Sequence, residues 1–181
     1  MPEDELAWET TDSRIAYTCP GFDVIHESVR LPDGTHSEFD HVLDDPAVVV
    51  IPVTTGGSVV VIDEWRQSVK RINQGFPAGS IEPTDQDRTE AARRELEEET
   101  GYVAETLTEL DGFEPANGLL DATFHFVLAE GCRQTGTRDL DHNESIRVDT
   151  TTFEELETRL EEGRLEDGRT ALGLLLYKCT R

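Results

Sequence analysis

Pro77-Ala-Gly-Ser-Ile-Glu-Pro-Thr-Asp-Gln-Asp-Arg-Thr-Glu-Ala-Ala-Arg-Arg-Glu-Leu-Glu-Glu-Glu-Thr-Gly-Tyr102 is the stretch that decides the fold. It reads as a glycine-bearing turn followed by a helix, expected over about 85–100, that ends in carboxylates. Residues three and four apart share a helix face, so Glu95, Glu98 and Glu99 point the same way within one turn. Like charges at that spacing oppose the helix by roughly 0.2–0.5 kcal/mol per pair. They also lie near the negative end of the helix dipole, which costs ~0.3–1 kcal/mol each. A cluster of hard oxygen ligands becomes favourable when divalent cations sit among them, and Mg²⁺ is the usual choice beside phosphates. A glutamate run by itself is usually a solvated face. The expected helix from Phe153 to Glu162 also ends in paired glutamates and carries no chemistry. What sets 77–102 apart is its surroundings: Gly79 after Pro77-Ala78 in a tight turn, Arg94 beside the cluster, and Gly101 where a C-cap glycine belongs.

The segment resembles the box of the Nudix family: glycine, five residues, glutamate, seven residues, then Arg-Glu-apolar-x-Glu-Glu-x-Gly-apolar. Arg94 through Tyr102 matches completely. The front half departs, because the interval from Gly79 to Arg94 is one residue longer than the pattern. Counting forward from Gly79 puts the box glutamate at Asp85; counting back from Arg94 puts it at Gln86. Neither is Glu and neither is given that role; Asp85 is expected to cap the helix instead.

Length and composition fit one domain with a small appendage. No run approaches the ~18 apolar residues of a membrane span. The acidic start, Met1-Pro-Glu-Asp-Glu, lacks the basic and apolar regions of a signal peptide. Cys19, Cys132 and Cys179 are odd in number, far apart and without metal-ligand spacing, so free thiols in a reducing cytoplasm are expected. His26, His36, His41 and His125 show no metal spacing either. The formal net charge of −23 repels nucleic acid and anionic lipid. The acids run from Glu3 to Asp167 rather than in one block, which favours a protein of a salt-accumulating halophile over an acidic tail or nucleic-acid mimic.

Strands are expected at 14–19, 22–31 and 35–43, with a turn at Pro32-Asp33-Gly34. The apolar runs Ala47–Val53 and Ser58–Ile62 form a buried hairpin around Gly56-Gly57. Further strands are expected at 103–113, 123–129 and 145–150. Thr152 with Glu155 makes a capping box for one helix, and a last helix spans about 169–179.

This order resembles the ADP-ribose pyrophosphatase branch of the Nudix family over nearly the whole chain. The resemblance implies an α/β fold, a Nudix α/β/α sandwich with a mixed sheet, preceded by a small N-terminal antiparallel β-sheet. Residues 1–45 would be the appendage that serves dimerisation and substrate binding, and 46–181 the hydrolase domain. It implies Mg²⁺-dependent hydrolysis of an ADP-ribose-like nucleoside diphosphate derivative to AMP and ribose 5-phosphate, with Mn²⁺ as the alternative ion. Glu95, Glu98, Glu99 and the Ala78 carbonyl would hold the metal. Arg94 would orient a glutamate, and Glu144, in Asp139-Leu-Asp-His-Asn-Glu144, would be the base, with His142 as a weaker alternative. Arg66, at the end of the strand Val59–Arg66, would contact phosphate, Phe22 would stack on adenine or else belong to the core, and Gly79 would border the substrate; Trp8 is a weaker stacking candidate. A cytoplasmic homodimer is implied, with no nucleic-acid or membrane partner.

Departures from the branch leave the substrate open. Asn117 stands where a proline is usual, Ala122 where a glutamate is usual, and no Lys or Arg occurs between Arg30 and Arg66. Another nucleotide sugar or dinucleotide, such as GDP-mannose or NADH, is the alternative. A non-hydrolysing ADP-ribose sensor is a third reading, disfavoured by the intact box glutamates and the lack of a basic patch.

Overall fold

The computed structural model describes residues 4–142 and 144–180. In chain order the strands begin with β1 (Glu9–Cys19), β2 (Phe22–Arg30), β3 (His36–Leu43), β4 (Ala47–Thr54), β5 (Val59–Arg66), β6 (Arg71–Gly75) and β7 (Ala78–Ser80). Helix α1 (Arg88–Thr100) follows, then β8 (Tyr102–Val103), β9 (Thr106–Phe113), β10 (Leu120–Asp121), β11 (Phe124–Gln134) and β12 (Ile146–Thr151). The chain closes with α2 (Phe153–Glu161) and α3 (Gly168–Cys179). It divides into two compact units, Met1–Asp45 with Glu114–Thr123, and Pro46–Phe113 with Phe124–Arg181.

The first unit is a sheet in the order β1-β2-β3-β10. The three long strands are antiparallel, from Glu9↔Arg30 to Cys19↔Phe22 and from Arg30↔His36 to Asp23↔Leu43. β10 adds to β3 in parallel through Leu120↔Val42 and Asp121↔Leu43. A two-residue strand inside a polar loop has no periodicity to announce it, so that addition was not legible in the sequence.

In the second unit the sheet runs β12-β5-β4-β11-β8, with β6 on β5, β7 on β4 and β9 on β11. β4 and β11 are parallel while the other pairs are antiparallel, so the sheet is mixed. Alternation along the central strands builds two cores, because successive strand side chains point to opposite faces. Val49, Ile51, Phe126 and Leu128 pack with Leu156 of α2 and Leu174 of α3. Val48, Val50, Val127 and Ala129 pack with Ala91, Ala92 and Leu96 of α1. Helix, sheet, helix is the layering that results. Full burial of a leucine such as Leu96 contributes ~1.5–3 kcal/mol.

Local chemistry sets the ends of α1. Asp87 is the N-cap, accepting from the backbone N–H groups of Thr89 and Glu90. Gly101 ends the helix at φ 73°, a left-handed conformation that glycine adopts without steric cost, and its N–H donates to the Glu97 carbonyl. The helix therefore starts later than the expected position 85, and Asp85 is not its cap. The stretch around Gly79 is not a free turn but the short strand β7, paired through Val49↔Ala78 and Val48↔Gly79. Thr152 caps α2 by accepting from Glu155 N at 3.1 Å, one half of the expected capping box, while the Glu155 carboxylate accepts from Arg159 Nε at 2.9 Å. All three cysteines are free thiols, and burial pushes the Cys132 thiol up to about 11. Among the described residues no helix is long and apolar enough to cross a membrane.

Candidate active site

The carboxylate end of α1 lies against β7, and the two line an acidic cleft of about 360 Å³. Gly79, Arg94, Glu95, Glu98, Glu99 and Glu144 all border it. Glu95 is 8% exposed and Glu99 2%, so the helix turns two acids inward. Burial drives their proton affinity up, to about 7 for Glu95 and about 9 for Glu99. For Glu95 the Arg94 guanidinium opposes the rise; for Glu99 the neighbouring Glu95 charge adds to it.

Hydrogen bonds fix each group. Ala78 N donates to Glu99 Oε2 at 3.0 Å. A strand residue's N–H and C=O lie on one edge, so the Ala78 carbonyl shares the edge that faces this carboxylate. Arg94 Nη1 donates to Glu95 Oε1 at 2.7 Å and Glu98 Oε2 at 3.1 Å. Its Nη2 donates to the Ser80 carbonyl at 2.9 Å and to Asp85 Oδ2 at 3.0 Å, while Nε donates to Asp85 Oδ1 at 3.2 Å. Asp85 is thus a bidentate anchor for Arg94, and the side chain is only 4% exposed. The Arg94 hydrogen bonds hold its carboxyl below the usual carboxylate range. Sequence counting could not assign this role, because the inserted residue breaks the interval. Asp85→Ala leaves a partly buried guanidinium without its main partner, and a loss of ~1–3 kcal/mol is expected in urea denaturation.

Glu144 reaches the cleft from the segment before β12, its carboxylate accepting from Asp141 N at 3.0 Å. Its charge raises the proton affinity of both Glu95 and Glu99. His142 is exposed and is not among the residues lining the cleft. Arg66 ends β5 and pairs with Glu64, Nη2 to Oε2 at 2.6 Å. Glu99 lies close enough to favour the Arg66 charge. Phe22 belongs to the other unit, 41% exposed, with its ring tilted against Tyr17 at 6.5 Å. Trp8 packs edge-on against Phe39 at 6.1 Å.

Among the described residues no three Asp, Glu, His or Cys side chains converge into a ready-made cation cluster. Arg94 supplies the positive charge between Glu95 and Glu98 instead. The donor set fits a hard divalent cation: oxygens only, two of the acids buried, and Glu99 with no cationic side chain paired to it among the described residues.

Two buried glutamates packed against a glycine-bearing strand beside an acidic cleft, on a mixed sheet between helices, describe an α/β domain whose oxygens suit a hard divalent cation. A NUDIX domain profile matches residues 43–170, and the chain belongs to the Nudix family. It is 33% identical over 153 residues to the ADP-ribose pyrophosphatase of Bacillus subtilis (strain 168), covering 84% of this chain and 82% of that protein. It is 30% identical over 149 residues to the methanol dehydrogenase activator of Bacillus methanolicus, covering 82% and 80%. The crystal structure of an ADP compounds hydrolase superposes with a TM-score of 0.83 at 21% identity, over 97% of this chain and 95% of that one, which speaks to fold.

Proposed function

We propose that this chain hydrolyses the diphosphate of ADP-ribose or a close nucleoside diphosphate derivative, giving AMP and ribose 5-phosphate. The observation that carries the reading is the pair of buried acids, Glu95 and Glu99, packed against Ala78 and Gly79 at the wall of an open cleft. The relationship to an ADP-ribose pyrophosphatase, extending over most of both chains, supports that substrate class.

Glu95 and Glu99, joined by Glu98 and the Ala78 carbonyl, would hold Mg²⁺, or Mn²⁺ in its place. Such an ion neutralises the diphosphate and makes water acidic enough to attack. Arg94 orients Glu95 and Glu98 through charge-assisted hydrogen bonds. Glu144 accepts the proton of the attacking water as it adds to one phosphorus, and the bond to the bridging oxygen breaks. Arg66 takes up charge on the phosphates, and Phe22 stacks on the adenine ring. Gly79 leaves room beside Glu95 because it carries no side chain.

Residues 1–45 would serve dimerisation and substrate binding, with 46–181 as the hydrolase domain of a cytoplasmic homodimer. The net charge of −23 suits a halophile's cytoplasm, where salt screens self-repulsion.

The test is phosphate-product release from ADP-ribose, NADH, GDP-mannose, diadenosine polyphosphate and a nucleoside triphosphate, with Mg²⁺ at low and molar salt. ADP-ribose is expected to have the highest kcat/KM, with greater activity in molar salt. A higher value for NADH or GDP-mannose would replace the substrate. Binding of ADP-ribose without turnover of any compound would make the chain a sensor.

A further inference from the structure

Two guanidiniums, those of Arg66 and Arg169, are largely withdrawn from solvent and have few protein acceptors among the described residues. Arg66 has Glu64 as its ion-pair partner, and among the described residues its side chain completes no hydrogen bond. Glu64 Oε2 is closed off from solvent, and Arg66 Nη2 approaches it outside hydrogen-bonding geometry, so this oxygen has no hydrogen-bond partner. Arg169, at the start of α3, donates from Nε to Asp167 Oδ1 at a long 3.3 Å. Its guanidinium carbon sits 6.0 Å from the centre of the Phe124 ring, and its Nη groups have no acceptor among the described residues.

Packing fixes this approach. Phe76 N donates to Thr170 Oγ1 at 2.9 Å, and that hydroxyl donates to Asp167 Oδ2 at 2.7 Å. A Cβ on Gly75 would lie 2.7 Å from Asp167 Oδ2, so the absent side chain lets the first turn of α3 settle onto β6. Gly75 pairs with Ile62, and directly opposed residues of an antiparallel pair share a face. Alternation carries that face along β5 to Glu64 and Arg66. The closeness has an electrostatic signature: burial, then Arg169, pulls Arg66 below the usual arginine range, and both arginines oppose the burial that raises Glu64.

Burial and the second guanidinium work against the Arg66 charge, and Glu64, Asp167 and Glu99 offset this cost only in part. An anion with oxygens for both removes the cost, and paired guanidinium N–H groups suit phosphate. We propose that Arg169 joins Arg66 in gripping one phosphate of the bound diphosphate, with Glu64 as the positioning residue that holds Arg66. This deepens the diphosphate reading and rests on it.

The experiment measures binding of α,β-methylene-ADP by calorimetry in Mg²⁺ buffer, beside steady-state hydrolysis of ADP-ribose. In Arg169→Gln, Kd for the probe and KM for ADP-ribose are both expected to rise about tenfold or more, the cost of losing a charged hydrogen-bond partner. The same variant should keep kcat within about threefold, since a contact made equally in ground and transition states moves KM alone. Glu64→Gln, neutral and of the same shape, should shift Kd in the same direction by less. If Arg169→Gln folds poorly, Arg169→Met keeps the apolar stem over Phe124 and is read the same way. Wild-type Kd and KM in these variants, or no binding of the probe by the wild type, would overturn the grip. Arg169-dependent probe binding without hydrolysis of ADP-ribose would uphold the grip and defeat the hydrolase reading. Hydrolysis with KM indifferent to Arg169 would do the reverse.

Discussion

Glu99→Gln is expected to lower kcat on ADP-ribose by about two orders of magnitude or more, a barrier increase of ~2.7 kcal/mol. The substitution keeps shape and removes charge. Glu99 is 2% exposed and sits one helical turn from Glu95, so its carboxylate is a poor companion for its neighbour until a cation arrives. Glutamine can still accept from Ala78 N, which preserves the anchor of β7 on α1. It cannot supply the second negative charge that draws a divalent ion between the two positions. Two measurements separate this from simple damage. In EDTA the variant should melt at or above the wild type, because the buried acid, driven up to about 9 by burial, no longer has to take up a proton on folding. Mg²⁺ should raise the melting temperature of the wild type and do so much less for the variant, as expected when a ligand binds only the folded state. Wild-type turnover by Glu99→Gln would remove Glu99 from the cation site. A normal Mg²⁺ shift in the variant would do the same.

The features that reached the sequence as pattern were those written in local periodicity or caps. The inward face of α1 follows from the spacing of Glu95, Leu96 and Glu99, and its end from Gly101. The two central strands follow from Val48-Val-Val-Ile51 and Val59-Val-Val-Ile62, buried on both faces as such runs require. Segments that exist only by pairing were not legible. Arg71–Gly75 and Ala78–Ser80 are short and become strands because β5 and β4 lie beside them. Asp87 rather than Asp85 caps the helix, since two acids two residues apart are equal candidates until Asp85 is drawn to Arg94. Glu64 and Arg169 were hidden for opposite reasons. Glu64 is one acid among 39 acidic residues, and Arg169 begins a helix where no motif marks it. Their relation to Arg66 is set by the packing of α3 on Gly75, which is tertiary information.

Gly79→Ala should leave the fold within ~1 kcal/mol of the wild type while cutting the hydrolysis rate about 10²-fold, the scale of an angstrom-level misplacement in a site. Gly79 lies in β7, paired with Val48, and its backbone is not in the left-handed region, so alanine meets no strain in the chain itself. The three heavy atoms nearest to a Cβ there all belong to the Glu95 carboxylate, which it would overlap. The obstacle is the end of a flexible side chain, which can swing away at little cost to stability. That movement is what the reaction would feel. Glu95 would leave Arg94 Nη1, its 2.7 Å partner, and would no longer face the cleft beside Glu99. The glycine of the box is therefore read here as clearance for a carboxylate rather than as a turn. Thermal melts and initial rates on ADP-ribose, measured together, decide it. Full activity in Gly79→Ala would mean that Glu95 has room to work with a methyl group beside it. Loss of both fold and activity would mean instead that Gly79 is needed by the strand.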